Sequence, residues 1–81
     1  MNIYVGNLAP HTTVGQLRQV FARYGEVGKI GLDGHPGGLV SHRFCFVEMP
    51  FNNQAFVATK KTNGLLLDSC ALVVRESGVA V

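Results

Sequence analysis

A chain of 81 residues sets a limit of one domain, near the small end of what folds unaided, and its 47% hydrophobic content is what so small a core requires. Two cysteines without metal-ligand spacing exclude a disulfide framework, and the absence of a bilayer-length apolar run or an export leader points to a soluble, cytoplasmic protein. A net charge of +2 favours a polyanionic partner only mildly, so the placement of the charges matters more than their sum.

Asn2 to Gly6 opens the chain with Ile3 and Val5 in one phase and Tyr4 in the other. This predicts a strand with its β-branched side chains inward and its tyrosine outward. Gly6 to Thr12 reads as a loop from its Gly, Asn and Pro. Thr13 and Gln16 fit a capping box, and Val14, Leu17, Val20, Phe21 and Tyr24 then recur on one helical face. Arg18 and Arg23 fall off that face, and Gly25 is a plausible stop. Val27 to Asp33 is a second strand, with Ile30 and Leu32 in one phase and Lys29 and Gly31 in the other. Gly34 to Gly38 form a turn, and Leu39 to His42 lead onward.

Arg43 to Met49 is apolar on both sides, in different ways. Cys45, Val47 and Met49 share one face and suit a core, whereas Phe44 and Phe46 share the other with Glu48. A carboxylate is seldom fully buried, so the phenylalanine face is expected to meet water. Pro50-Phe51-Asn52 breaks the strand, and Asn52 or Asn53 is expected to cap a second helix. Its face of Ala55, Ala58, Thr59 and Thr62 is small enough to lie close against a sheet. Asn63-Gly64 ends it, Leu65 to Ser69 is a short extended piece, and Ala71 to Glu76 is the last strand. Residues 1–77 are expected to form the domain and 78–81 a frayed tail.

The order β-α-β-β-α-β predicts an α+β, ferredoxin-like domain: a four-stranded antiparallel sheet with both helices on one face. The first strand and the Arg43–Met49 strand should lie side by side at its centre. Tyr4, Phe44 and Phe46 would then cluster on the bare face. Bases present a π-face whatever their identity, so three exposed rings can hold unpaired nucleotides. A partner helix, a second subunit or a tail covering the rings is the alternative.

Ile3-Tyr4-Val5-Gly6-Asn7-Leu8 resembles the hexamer motif of the RNA recognition motif family, and His42 to Met49 resembles its octamer. The helix carrying Leu17, Val20, Phe21, Tyr24 and Gly25 and the tail carrying Asn63, Gly64, Leu67, Asp68, Leu72 and Val74 are also similar. The resemblance implies that Tyr4 and Phe44 stack bases and that Phe46 packs against sugars. The small format and the Phe-Val-Glu-Met ending are similar to the single-domain members found in bacteria. Arg43 departs from the family by replacing the octamer glycine, and His42 holds the basic position. Met49 replaces an aromatic, and Cys70 and Val73 stand where polar or basic residues are usual.

Lys29, Arg43 and Arg75, with His42, are the cations expected near bound phosphates. Arg18, Arg23, Lys60 and Lys61 belong to the helices. With so few phosphate contacts, weak binding of single-stranded RNA with low sequence selectivity is expected, and single-stranded DNA remains open as a ligand. Such a binder would suit post-transcriptional regulation or RNA chaperoning. A protein-interaction module on the same fold is the alternative, since Val73 makes the open face greasier. No nucleophile–base pair, carboxylate pair or metal-like histidine spacing marks an enzyme, and no cofactor is implied.

Overall fold

In the computed structural model, which describes residues 1–31 and 43–78, the elements follow the expected order. They are β1 (Asn2–Gly6), α1 (Val14–Ala22), β2 (Ile30–Gly31), β3 (Phe44–Glu48), α2 (Asn52–Thr62), β4 (Leu66–Leu67), β5 (Cys70–Ala71) and β6 (Val73–Ser77). The main sheet runs β2-β3-β1-β6. Every neighbouring pair in it is antiparallel. The α+β, ferredoxin-like architecture is therefore the observed one. The second expected strand is shorter among the described residues; its end, Leu32 and Asp33, lies outside them, as do the Gly34–Gly38 turn, the Leu39–His42 lead-in and residues 79–81 of the tail.

Alternation assigns the faces. Ile3 and Val5 of β1, Cys45 and Val47 of β3, and Val74 of β6 join Leu17 and Phe21 of α1 and Ala55 and Ala58 of α2 in one buried cluster. The two helices thus cover one side of the sheet. Val20, Tyr24 and Ile30 close the cluster's edge. Alanines at 55 and 58 let α2 sit near the strands, and the buried Thr62 hydroxyl donates to the Ala58 carbonyl at 2.7 Å, which removes its desolvation penalty. Among the described residues, no helix is long and apolar enough to cross a membrane.

The capping box forms as read. The Gln16 amide donates to Thr13 Oγ1 at 3.2 Å, and the Thr13 amide donates to Gln16 Oε1 at 2.8 Å. The second helix corrects its expectation: Phe51 is the N-cap in extended backbone and makes no side-chain cap, while Asn52 already belongs to the helix. The last strand is also corrected, because Ala71 lies in a separate hairpin. Leu66–Leu67 pair with Cys70–Ala71, and Asp68 and Ser69 turn between them at φ 52° and 67°. A two-residue loop with both φ positive matches the right-handed twist of its strands. Leu72 divides hairpin from strand: its amide donates to Leu65 and its carbonyl accepts from Gly64, so its backbone continues the hairpin.

Asp68 fastens this hairpin to the foot of α1. Its Oδ2 accepts from the buried Thr12 hydroxyl at 2.8 Å and from Gln16 Nε2 at 3.1 Å. His11 Nε2 lies 3.8 Å from Oδ1. Gln16 therefore serves the helix cap through its oxygen and the hairpin through its nitrogen.

Two measurements check this packing. Leu17→Ala, at a fully buried position, should cost about 2–5 kcal/mol in urea unfolding. Burial pushes the Cys45 thiol from 9.0 up to about 12. The folded chain then keeps a proton that the unfolded chain loses, so this contribution is intact below pH 9.0 and lost as pH rises from 9.0 towards about 12. Alkylation of the native protein at about pH 8 should label the partly exposed Cys70 and spare Cys45 until denaturant is added.

Candidate functional site

The face opposite the helices receives what the core rejects. Tyr4 lies across from Phe46 on one side and Arg75 on the other, and Gly6 lies across from Phe44 and Val73. Three rings from two adjacent strands therefore meet at the centre of the sheet. Tyr4 and Phe44 are 6.1 Å apart at an interplanar angle of 24°. Phe46 turns its plane against both, 5.9 Å from Tyr4 at 64° and 6.0 Å from Phe44 at 80°. Each ring is partly exposed. Offset and edge contacts of this kind are those that ring quadrupoles favour.

Gly6 gives the Tyr4 ring its place. A Cβ at residue 6 would come within 2.5 Å of Tyr4 Oη and 2.8 Å of Cε2 and Cζ. The ring thus lies along its own strand, over a residue with no side chain. This role for the glycine is invisible in the alternation pattern, which treats it only as a weak strand former.

The cations behave differently from one another. Arg75 places its guanidinium carbon 4.7 Å from the centroid of the Tyr4 ring. Sequence alone could not find this stack, because it depends on the register between β1 and β6. Arg43 takes the left-handed conformation, φ 62°, at the position where the resemblance expects glycine. A non-glycine residue is strained there, by roughly 1–2 kcal/mol. Its Nε donates to the Leu8 carbonyl at 2.9 Å, and the Leu8 amide donates to the Arg43 carbonyl at 2.9 Å, so both ends of the residue hold the loop after β1. Arg43 is in part a structural clasp.

Lys29 is exposed, and its carbonyl accepts from the Glu48 amide at 2.8 Å. It therefore flanks β3 in the same phase as Gly31, on the aromatic side. The Glu48 carboxylate lies over Gly28, where a Cβ would meet it. Arg18, expected away from the platform, donates to the carbonyls of Val27 at 3.3 Å and Gly28 at 3.0 Å. His42 lies outside the described residues. Among the described residues, no group of three His, Cys, Asp or Glu side chains is placed to hold a metal ion.

The arrangement is a shallow aromatic field with cations at its border, suited to binding flat π-systems joined by anionic links. The sequence model of the RNA recognition motif matches residues 3–73. Nuclear cap-binding protein subunit 2 of Drosophila melanogaster is 41% identical over 71 residues, an alignment that takes in 82% of this chain and 43% of that protein. Its counterpart in Drosophila yakuba matches equally. The chain spans less than half the length of these curated relatives. Neither the bacterial grouping nor the stand-alone format expected from sequence finds support in them.

Solved structures fit over nearly the whole chain. RNA binding protein PG1 has a TM-score of 0.85 at 31% identity, over 100% of this chain and 98% of that one. The penultimate RNA recognition motif of the hypothetical RNA-binding protein RBM19 has a TM-score of 0.84 at 31% identity, over 99% and 85%. The Rna15 domain solved with bound RNA shares the fold, with a TM-score of 0.80 at 21% identity, over 96% and 83%.

Gly6→Ala tests the seat of Tyr4. The added methyl meets the far end of a side chain that can swing, so the domain should stay folded while the ring is driven from Phe44. Changed ring-current shifts at Phe44 and Phe46, with an unfolding midpoint close to the parent's, are the expected result.

Proposed function

The chain belongs to the RNA recognition motif family, and accordingly we propose that it binds single-stranded RNA by stacking bases on Tyr4 and Phe44 while Phe46 packs against the sugars. The observation that carries this reading is the meeting of all three rings within 6.1 Å of one another, opposite the packed helices. A base stacked on an aromatic side chain is worth about 1–3 kcal/mol, whichever base it is. Lys29, Arg43 and Arg75 supply the charge, joined by His42. The names of the solved neighbours at 31% identity support an RNA ligand, since both are described as RNA-binding.

Weak, unselective binding follows from the inventory. Few cations border the rings, one of them is already stacked on Tyr4, and Arg43 is committed to the loop. Such a binder acts passively and suits post-transcriptional control or RNA chaperoning. A protein partner on the same face is the second reading, supported by Val73, which is 45% exposed beside Gly6.

Titration of short single-stranded oligomers decides between them. RNA should bind with a micromolar or weaker Kd, and log K should fall against log salt with a slope of about −1.5 to −2, from two or three neutralised phosphates. Phe44→Ala should weaken RNA binding about 5- to 150-fold, the equivalent of ~1–3 kcal/mol, with its unfolding midpoint unchanged. Nanomolar binding with a steep salt slope, or a Phe44→Ala chain that no longer folds, would overturn the reading. A capped and an uncapped oligomer run in parallel show whether the preference named in the curated relatives extends to this chain.

A further inference from the structure

Away from the aromatic field, α1 and the β4–β5 hairpin border a groove of about 340 Å³. Val20 and Leu65, Leu66 and Leu67 form its apolar walls, with Gln19 and Arg23 along its rim. Leu66 is 69% exposed and Leu65 39%, and no other large hydrophobic side chain among the described residues is as exposed as Leu66. An isolated exposed leucine is ordinary, but several lining one groove mark an interaction site.

The groove is held open by bonds already made. Asp68, at the tip of the hairpin, accepts from Thr12 and Gln16 at the foot of α1. Gln16 also lines the groove, but its amide is spent on Thr13 and Asp68. Arg23 is thus the one charged residue among those lining the groove. The complement of such a site is a bulky apolar side chain with a carboxylate beside it, because a guanidinium and a carboxylate make paired, charge-assisted hydrogen bonds.

Other occupants fit less well. None of the lining residues is aromatic, so a nucleotide finds no stacking surface there. A second copy would offer either these same leucines, which bring a second Arg23 in place of a carboxylate, or its exposed apolar segment of Phe51 with Phe56 and Val57. That segment leads into Lys60 and Lys61, the wrong sign for Arg23.

We propose that this groove docks a short acidic segment of another protein, with one bulky apolar residue seated against Leu66 and an adjacent Asp or Glu paired with Arg23. The site is on the helix side of the sheet, so its occupant and a strand on the aromatic face do not compete. The proposal does not depend on the RNA reading.

Selection of a displayed library of random 12-residue peptides against the whole chain tests it. Enriched peptides should share an apolar anchor next to an acidic residue. Fluorescence anisotropy of one such peptide should show at least about tenfold weaker binding to Leu66→Ser, a change at an exposed position that leaves the unfolding midpoint in place. Arg23→Glu should reject that peptide and accept its Lys-substituted version. An RNA oligomer added in excess should not displace the peptide. No enrichment, enrichment without an acidic requirement, displacement by RNA, or self-association through Leu66 in the absence of peptide would each overturn the proposal.

Discussion

The register of β1 between its two neighbours is the constraint on which the rest of the molecule depends. Ile3 lies opposite Val47, and Val5 opposite both Cys45 and Val74, so the inward positions at the centre of the sheet are apolar. Glu76, across from Ile3 on β6, is exposed near the strand's end. The same pairing sets Tyr4 beside Phe46 and Arg75. Strand side chains have a period of two, so a slip of one residue would exchange the two sets completely. It would expose Ile3 and Val5, each stabilising the fold by about 1.5–3 kcal/mol through burial, and turn a tyrosine towards the helices. The strands that carry the aromatic field are thereby kept in register by the core beneath them.

That dependence explains what the sequence disclosed. Alternation in Arg43–Met49 separates core from platform because the rule is local, and the reciprocal bonds of Thr13 and Gln16 span one helical turn. Facts that join distant segments were out of reach. The stack of Arg75 on Tyr4 requires knowing that β6 pairs with β1 and in which register. The clasp of Arg43 on Leu8 requires the left-handed backbone that its residue type argues against. The β4–β5 hairpin escaped for a chemical reason. Its turn is Asp68-Ser69, whereas the readable signal for two positive φ angles is Asn or Asp followed by Gly. The N-cap at Phe51 escaped because two good capping residues stand directly after it, inside the helix.

The hairpin shows how a chain this small compensates for short strands. Two pairs of residues cannot hold a sheet alone. The structure adds Leu72 to the core and secures the turn through Asp68. Thr12 is wholly buried, so its hydroxyl needs that carboxylate as much as the hairpin needs the threonine. One side chain, Gln16, links this arrangement to the helix cap. The groove beside α1 is therefore bordered by elements that are each fastened to the other.

The cation on Tyr4 sets the scale of the proposed RNA binding. An exposed guanidinium over an aromatic ring contributes about 0.5–1 kcal/mol, and a stacked base about 1–3 kcal/mol. A base can therefore displace Arg75 from the ring, but the gain at that position is reduced by what the cation gave up. The displaced guanidinium remains beside the strand that carries the base, where a phosphate can receive it. Stacking energy is exchanged for an ionic contact, and ionic contacts with single strands weaken with salt while stacking does not. On this reading Arg75 keeps Tyr4 covered when no strand is bound and makes the occupied site more sensitive to salt than three rings alone would be.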